Sequence, residues 1–176
     1  MNTLQLFRRA AFGLAAVLII NTAQAQAAPA KEAKPSPAAK ATGKVGASNV
    51  TVAYSSPAVK GRPIWGGLVP YGQVWRAGAN EATTVEFSKA VMVEGKALPA
   101  GKYGFFVLPT EKQWTVIFNK VPNQWGAYEY DAKQDALRVV VTPRKAASMS
   151  ERLVYEVKPT GLVLRWENLE APIAIK

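Results

Sequence analysis

Residues 48–176 read as an all-β domain, a single β-sandwich of Ig-like or jelly-roll style with roughly nine to ten strands, and three observations predict it. Apolar residues recur with period two: Val85 and Phe87 against Glu86 and Ser88, Trp114, Val116 and Phe118 against Thr115 and Asn119, Leu153, Tyr155 and Val157 against Arg152, Glu156 and Lys158. Successive side chains of a strand face opposite ways, so this spacing marks half-buried strands. Turn chemistry falls between the apolar runs, at Glu94-Gly95-Lys96, Pro99-Ala100-Gly101 and Pro159-Thr160-Gly161. The length from Ser48 to Lys176 suits one hydrophobic core. A closed barrel is the second choice.

In chain order the candidate strands are Val50–Tyr54, Thr83–Ser88, Val91–Glu94, Lys102–Leu108, Trp114–Asn119, Ala127–Tyr130, Ala136–Thr142, Arg152–Lys158, Leu162–Glu167 and Pro172–Ile175. They read as a meander, with one helical turn fitting near Pro143–Ser150. Tyr103–Leu108 is apolar on both faces, and Leu137–Val141 is similar apart from Arg138, so both are expected near the middle of a sheet.

Ahead of this domain lie two segments of different character. Residues 1–25 carry Arg8 and Arg9, the apolar run Ala10–Ile20 and then Ala23-Gln24-Ala25, the order of a secretory signal peptide. Cleavage after Ala25 or Ala27 fits, and the apolar run falls short of the ~20 residues of a spanning helix. The expectation is export to the periplasm or beyond, with no transmembrane segment after cleavage. Residues 26–47 are rich in Ala, Lys and Pro without an aromatic residue, and read as a disordered tether. Half of the net charge of +10 lies in these two segments: Arg8, Arg9, Lys31, Lys34, Lys40, Lys44 and Glu32 all precede Ser48, which leaves 16 basic and 11 acidic residues in the domain. Lys60, Lys89, Lys102, Lys120 and Lys158 are scattered singly through it, so no nucleic-acid footprint is formed.

The absence of cysteine and histidine removes disulfides, thiolate nucleophiles, Ser-His relays and His/Cys zinc sites together. Gly66-Gly67 leads into Leu-Val-Pro and not into a helix start, so no nucleotide cofactor is expected; neither is any other cofactor or a metal. Carboxylates remain as catalytic candidates, Glu81 or the pair Glu129 and Asp131, but their commoner role is surface charge. Asp131 and Asp135 lack the ligand number of a calcium loop and suit a turn instead.

Gly61–Phe87 is the densest stretch, GRPIWGGLVPYGQVWRAGANEATTVEF, in which Trp65, Trp75, Arg76, Asn80 and Glu81 stand among turn-forming glycines. Asn119, Trp125 and Tyr128 come from a second dense segment within LPAGKYGFFVLPTEKQWTVIFNKVPNQWGAYEYD. With DALRVVV (Asp135–Val141), these segments resemble the secreted bacterial family catalogued as domain of unknown function 2911. The resemblance implies a signal peptide and a β-rich domain, and it implies no activity or catalytic residue.

Two readings of the eight residues follow. As structure, Arg76 and Glu81 pair to lock the loop, Asn80 takes a left-handed turn and the tryptophans plug one end of the sandwich. As a site, the same residues line a cleft where aromatic faces stack on sugar rings or peptide side chains. The functions expected are a binding or envelope-associated module for glycan or peptide first, a carboxylate-based hydrolase of envelope glycans second, and a purely structural envelope protein third. The leaning is away from an enzyme, and the sequence does not specify the oligomeric state.

Overall fold

A computed structural model describes residues 35–176; the signal-peptide expectation and the first part of the tether lie outside them. The period-two segments become ten strands: β1 (Ala38–Val45), β2 (Ser48–Ser55), β3 (Thr83–Phe87), β4 (Val91–Val93), β5 (Lys96–Leu98), β6 (Gly101–Pro109), β7 (Trp114–Asn119), β8 (Asp135–Val141), β9 (Arg144–Lys158) and β10 (Gly161–Ala174). Six form an antiparallel sheet in the order β1-β2-β3-β6-β7-β8, and β9 with β10 and β4 with β5 make separate hairpins. The long β9–β10 hairpin faces the sheet, giving an open, all-β sandwich.

Alternation decides what is buried between the layers. From the sheet come Val50, Val52, Val85, Phe87, Phe105, Val107, Val116, Phe118 and Val139, and from the hairpin Leu153, Tyr155, Leu162, Leu164 and Trp166. Phe105 meets the Tyr155 ring across the layers at 5.9 Å. β10 turns back at Glu167, which has φ 54, and its far end pairs with β4 through Val93 and Ile175. Gly161 permits the return: a Cβ there would strike the Ile173 carbonyl oxygen, and its φ is +143.

Several expectations are corrected. The tether was expected to run to Ala47 with the domain opening at Ser48, whereas Ala38–Val45 pairs residue by residue with β2 and belongs to the same compact unit. The strand is cryptic because four of its eight residues are exposed and three only partly buried, Val45 being its one buried residue. Gly43 admits β9, since a Cβ would sit 2.8 Å from Val157 Cγ1. The expected strand Ala127–Tyr130 is a turn, and the helical turn expected near Pro143–Ser150 is the start of β9. A single 3-10 turn occupies Ala132–Gln134 instead, with the Asp131 carboxylate accepting from the Lys133 N–H. The expected strands Leu162–Glu167 and Pro172–Ile175 are one irregular strand.

β6 lies inside the sheet, covered on one face by the main core and on the other by a small cluster of Ala82, Phe106 and Ile117 under Ala127 and Tyr130. β8, equally apolar in sequence, is the sheet's last strand. Val139 and Val141 face the core while Val140 is 55% exposed, and Lys96 Nζ donates to the Arg138 carbonyl on the outer edge. A lysine on an exposed edge discourages further strand pairing.

Candidate functional site

The β2–β3 connection and the β7–β8 connection meet on the outer face of the sheet, and register explains why. Trp75 pairs with Val107, its N–H donating at 2.8 Å and its carbonyl accepting at 2.9 Å, so it continues the β3 row along β6. The chain then reverses through Ala77 (φ 51) and Asn80 (φ 57), left-handed positions that cost non-glycine residues about 1–3 kcal/mol each. Surroundings hold the turn: the Ala77 carbonyl accepts from Thr83 Oγ1 at 2.9 Å and from Tyr155 Oη at 2.7 Å. Asn80 Nδ2 donates to the Ser36 carbonyl and to Ser55 Oγ.

The β7–β8 connection docks against this turn. Glu81 bridges to Trp125, and the Ala82 N–H donates to the Gln124 carbonyl at 3.0 Å. Gly104 lets the connection lie flat on the sheet, because a Cβ there would be 2.7 Å from the Val121 carbonyl oxygen. Buried Asn119 anchors it, Oδ1 accepting from the Val121 N–H and Nδ2 donating to the Asp131 carbonyl and to Asp135 Oδ1. Tyr130 Oη donates to Asp135 Oδ2 at 2.6 Å, and Arg138 Nε donates to the same oxygen at 2.6 Å. Burial, reinforced by the hydrogen bond to Asp135, pushes the Tyr130 phenol up to about 12.

Between the two connections and β2 runs an open groove of about 470 Å³. Ala53, Ala82 and Thr84 line it beside Tyr54, with Glu81 and Trp125 also on its wall. Trp125 is 55% exposed, while the other four tryptophans pack together: Trp65 lies 4.4 Å from Trp114, and Trp75 stacks on Trp166 at 5.8 Å. Ser55, Asn123 and Gln124 add polar groups to the lining. Gln124 is buried, with Nε2 bound to the Val121 carbonyl and Oε1 without a partner.

Residues 36–175 match the model of the family described as Protein of unknown function (DUF2911). The chain belongs to this family. No curated protein and no solved structure matches it.

The DUF2911 domain divides the eight candidate residues among five settings. Glu81 and Trp125 line the groove. Trp75 and Arg76 line a second, smaller pocket. Trp65 joins the tryptophan cluster, and Asn80 and Asn119 hold backbone in place. Tyr128 is 86% exposed beside Gly126, whose own neighbourhood includes Arg76 Cδ.

The expected lock between Arg76 and Glu81 differs from the arrangement found. Ion pairs among the described residues join Arg138 to Asp135, Arg144 to Glu170, Lys158 to Glu156, and Arg165 to Glu156 and Glu170; none joins Arg76 to Glu81. Arg76 Nε is buried without an acceptor, and burial lowers its guanidinium below the usual arginine range, the nearby Tyr128 opposing this in part. Sequence reasoning missed Tyr54, Ser55 and Gln124 in the groove. The alternation of β2 was the available signal for Ser55 alone, since Ser55 shares a face with Ala53 while Tyr54 points the other way.

The hydrolase reading needs two convergent carboxyls. Among the described residues Glu81 is the only carboxylate lining the groove, while Asp131 caps the 3-10 turn and Glu129 is on the surface. Among the described residues no cluster of three metal-ligating side chains occurs, and no helix is long and apolar enough to cross a membrane.

Proposed function

We propose that this protein is an exported binding module of the cell envelope whose groove takes a neutral glycan segment. The observation that carries the reading is Trp125, the one tryptophan held out of the core cluster and half exposed along a groove with an apolar floor. Sugar rings present an apolar face to an aromatic ring and hydroxyls at their edges, which Ser55, Thr84, Asn123 and the unpartnered Gln124 amide oxygen suit. The groove volume lies in the range of small-ligand sites. Export and envelope location rest on the N-terminal sequence, with Arg8, Arg9 and the following apolar run.

The test is a thermal-shift and tryptophan-fluorescence titration of the full chain with neutral oligosaccharides, including peptidoglycan-derived ones. Binding should raise the melting temperature by mass action and perturb Trp125 emission, and Trp125→Ala should weaken it by at least about tenfold. Saturation by peptides with no response to any oligosaccharide would transfer the groove to the peptide reading.

A further inference from the structure

We propose that the pocket around Arg76 and Arg62 is an oxyanion site, taking a carboxylate or phosphate group of a small ligand. The pocket, of about 180 Å³, is lined by both arginines together with Trp75, Gly78, Ala79 and Trp166 among others, and no acidic residue among the described residues lines it. Its size suits one anionic group with the rest of the ligand outside.

Arg76 differs from the other arginines of the domain. Arg138, Arg144 and Arg165 each meet a carboxylate, and Arg152 Nη1 donates to the Ser56 carbonyl. Arg76 is half-buried, is in no ion pair among the described residues, and has a buried Nε without an acceptor. A cation taken partly out of water without a counter-ion is costly, and a fold that keeps one has a use for its field. Arg62 is held ready beside it: Nε donates to the Val59 carbonyl at 3.0 Å and Nη2 to the Ala58 carbonyl at 2.5 Å, leaving Nη1 uncommitted. Trp166, which also lines the pocket, has a buried indole N–H without a partner, as do Trp65 and Trp114.

The backbone agrees with a preorganised site. Ala77, next to Arg76, and Asn80 hold left-handed conformations that the hydrogen bonds of Thr83, Tyr155 and Ser55 enforce. Such strain persists where surrounding structure over-determines it, and it concentrates at ligand clamps. Two arginines lining one small pocket with no carboxylate among its described lining residues supply the donors that recognise planar carboxylate or tetrahedral phosphate. This site is separate from the groove, with Asn80 bonded to one lining residue of each, Ser36 and Ser55.

The experiment titrates the full chain with inorganic phosphate and with acetate at ionic strength matched by chloride, reading heat of binding and melting temperature. One or both anions should bind saturably and raise the melting temperature above the chloride control; preference for phosphate identifies a tetrahedral group, preference for acetate a planar one. Arg76→Gln should weaken binding by about tenfold or more, and Arg62→Gln by less. Ala79→Leu keeps both arginines and fills the pocket, so it should weaken binding comparably without touching the charge. No saturable response to either anion overturns the proposal. So does a response that survives in both Arg76→Gln and Ala79→Leu.

Discussion

Arg76 shows how one side chain separates a structural from a functional reading. Truncating one member of a buried ion pair leaves an uncompensated charge and costs about 3–5 kcal/mol. Arg76 has no such partner among the ion pairs of the described residues, and its guanidinium is already desolvated. Arg76→Ala in anion-free buffer should therefore cost less than about 1 kcal/mol, the lost packing of its aliphatic stem being offset by relief of desolvation. Chemical denaturation at neutral pH measures this, and a loss above about 3 kcal/mol would show a hidden counter-ion and return the residue to a structural role.

At the scale of elements, β1 and the β7–β8 connection each make a claim. β1 contributes backbone pairing along its whole length and the side chain of Val45, so a deletion of residues 38–45 should destabilise the domain clearly in a melting experiment. A deletion confined to 26–34 should leave the melting temperature unchanged. Gly43→Val is the finer probe: its new side chain must displace Val157, which already lies 2.8 Å from an added Cβ, and overpacking of this kind costs about 1–3 kcal/mol. The β7–β8 connection is tied down through Tyr130, whose phenol is raised to about 12 by burial and by Asp135. The unfolded phenol ionises near pH ~10, so the contribution of neutral Tyr130 is complete below that value and is lost as pH climbs through the folded value of about 12. Wild type should thus lose more stability than Tyr130→Phe between about pH 9 and 12; parallel curves would remove the phenol from the account.

For the whole molecule, the prediction is about processing and place. Exported protein should begin at Gln26 or Ala28, after removal of the residues up to Ala25 or Ala27, and should fractionate with the soluble envelope contents. Intact Met1 or Asn2 in exported material, read by mass spectrometry, would exclude cleavage and recast the apolar run as an anchor. The charge distribution bears on the same scale. Half of the net positive charge precedes Ser48 and half lies in the domain, so any attraction to an anionic surface is shared between them and should weaken with salt.

What the sequence by itself determined is whatever local periodicity and local chemistry encode. Trp114–Asn119 is a strand with the same limits in pattern and in structure, because alternation of a half-buried strand is written in consecutive residues. The all-β class followed from the same kind of signal, and the family from the resemblance of its long motifs. Only the tertiary structure decided which neighbours those strands acquire. Period two says which side chains share a face, not what covers the face, so β6 and β8 look alike in sequence although one is interior and the other an edge. β1 escaped notice because its stability comes from pairing with β2 and from the approach of Val157 to Gly43, contacts that its own composition does not announce. The tryptophans make the same point at the site: Trp65 and Trp125 both stand in loops directly before a glycine, yet one packs on Trp114 and the other edges the groove. That difference comes from long-range backbone pairing, Trp75 with Val107 and Glu81 with Trp125, which selects the faces of two loops far apart in the chain.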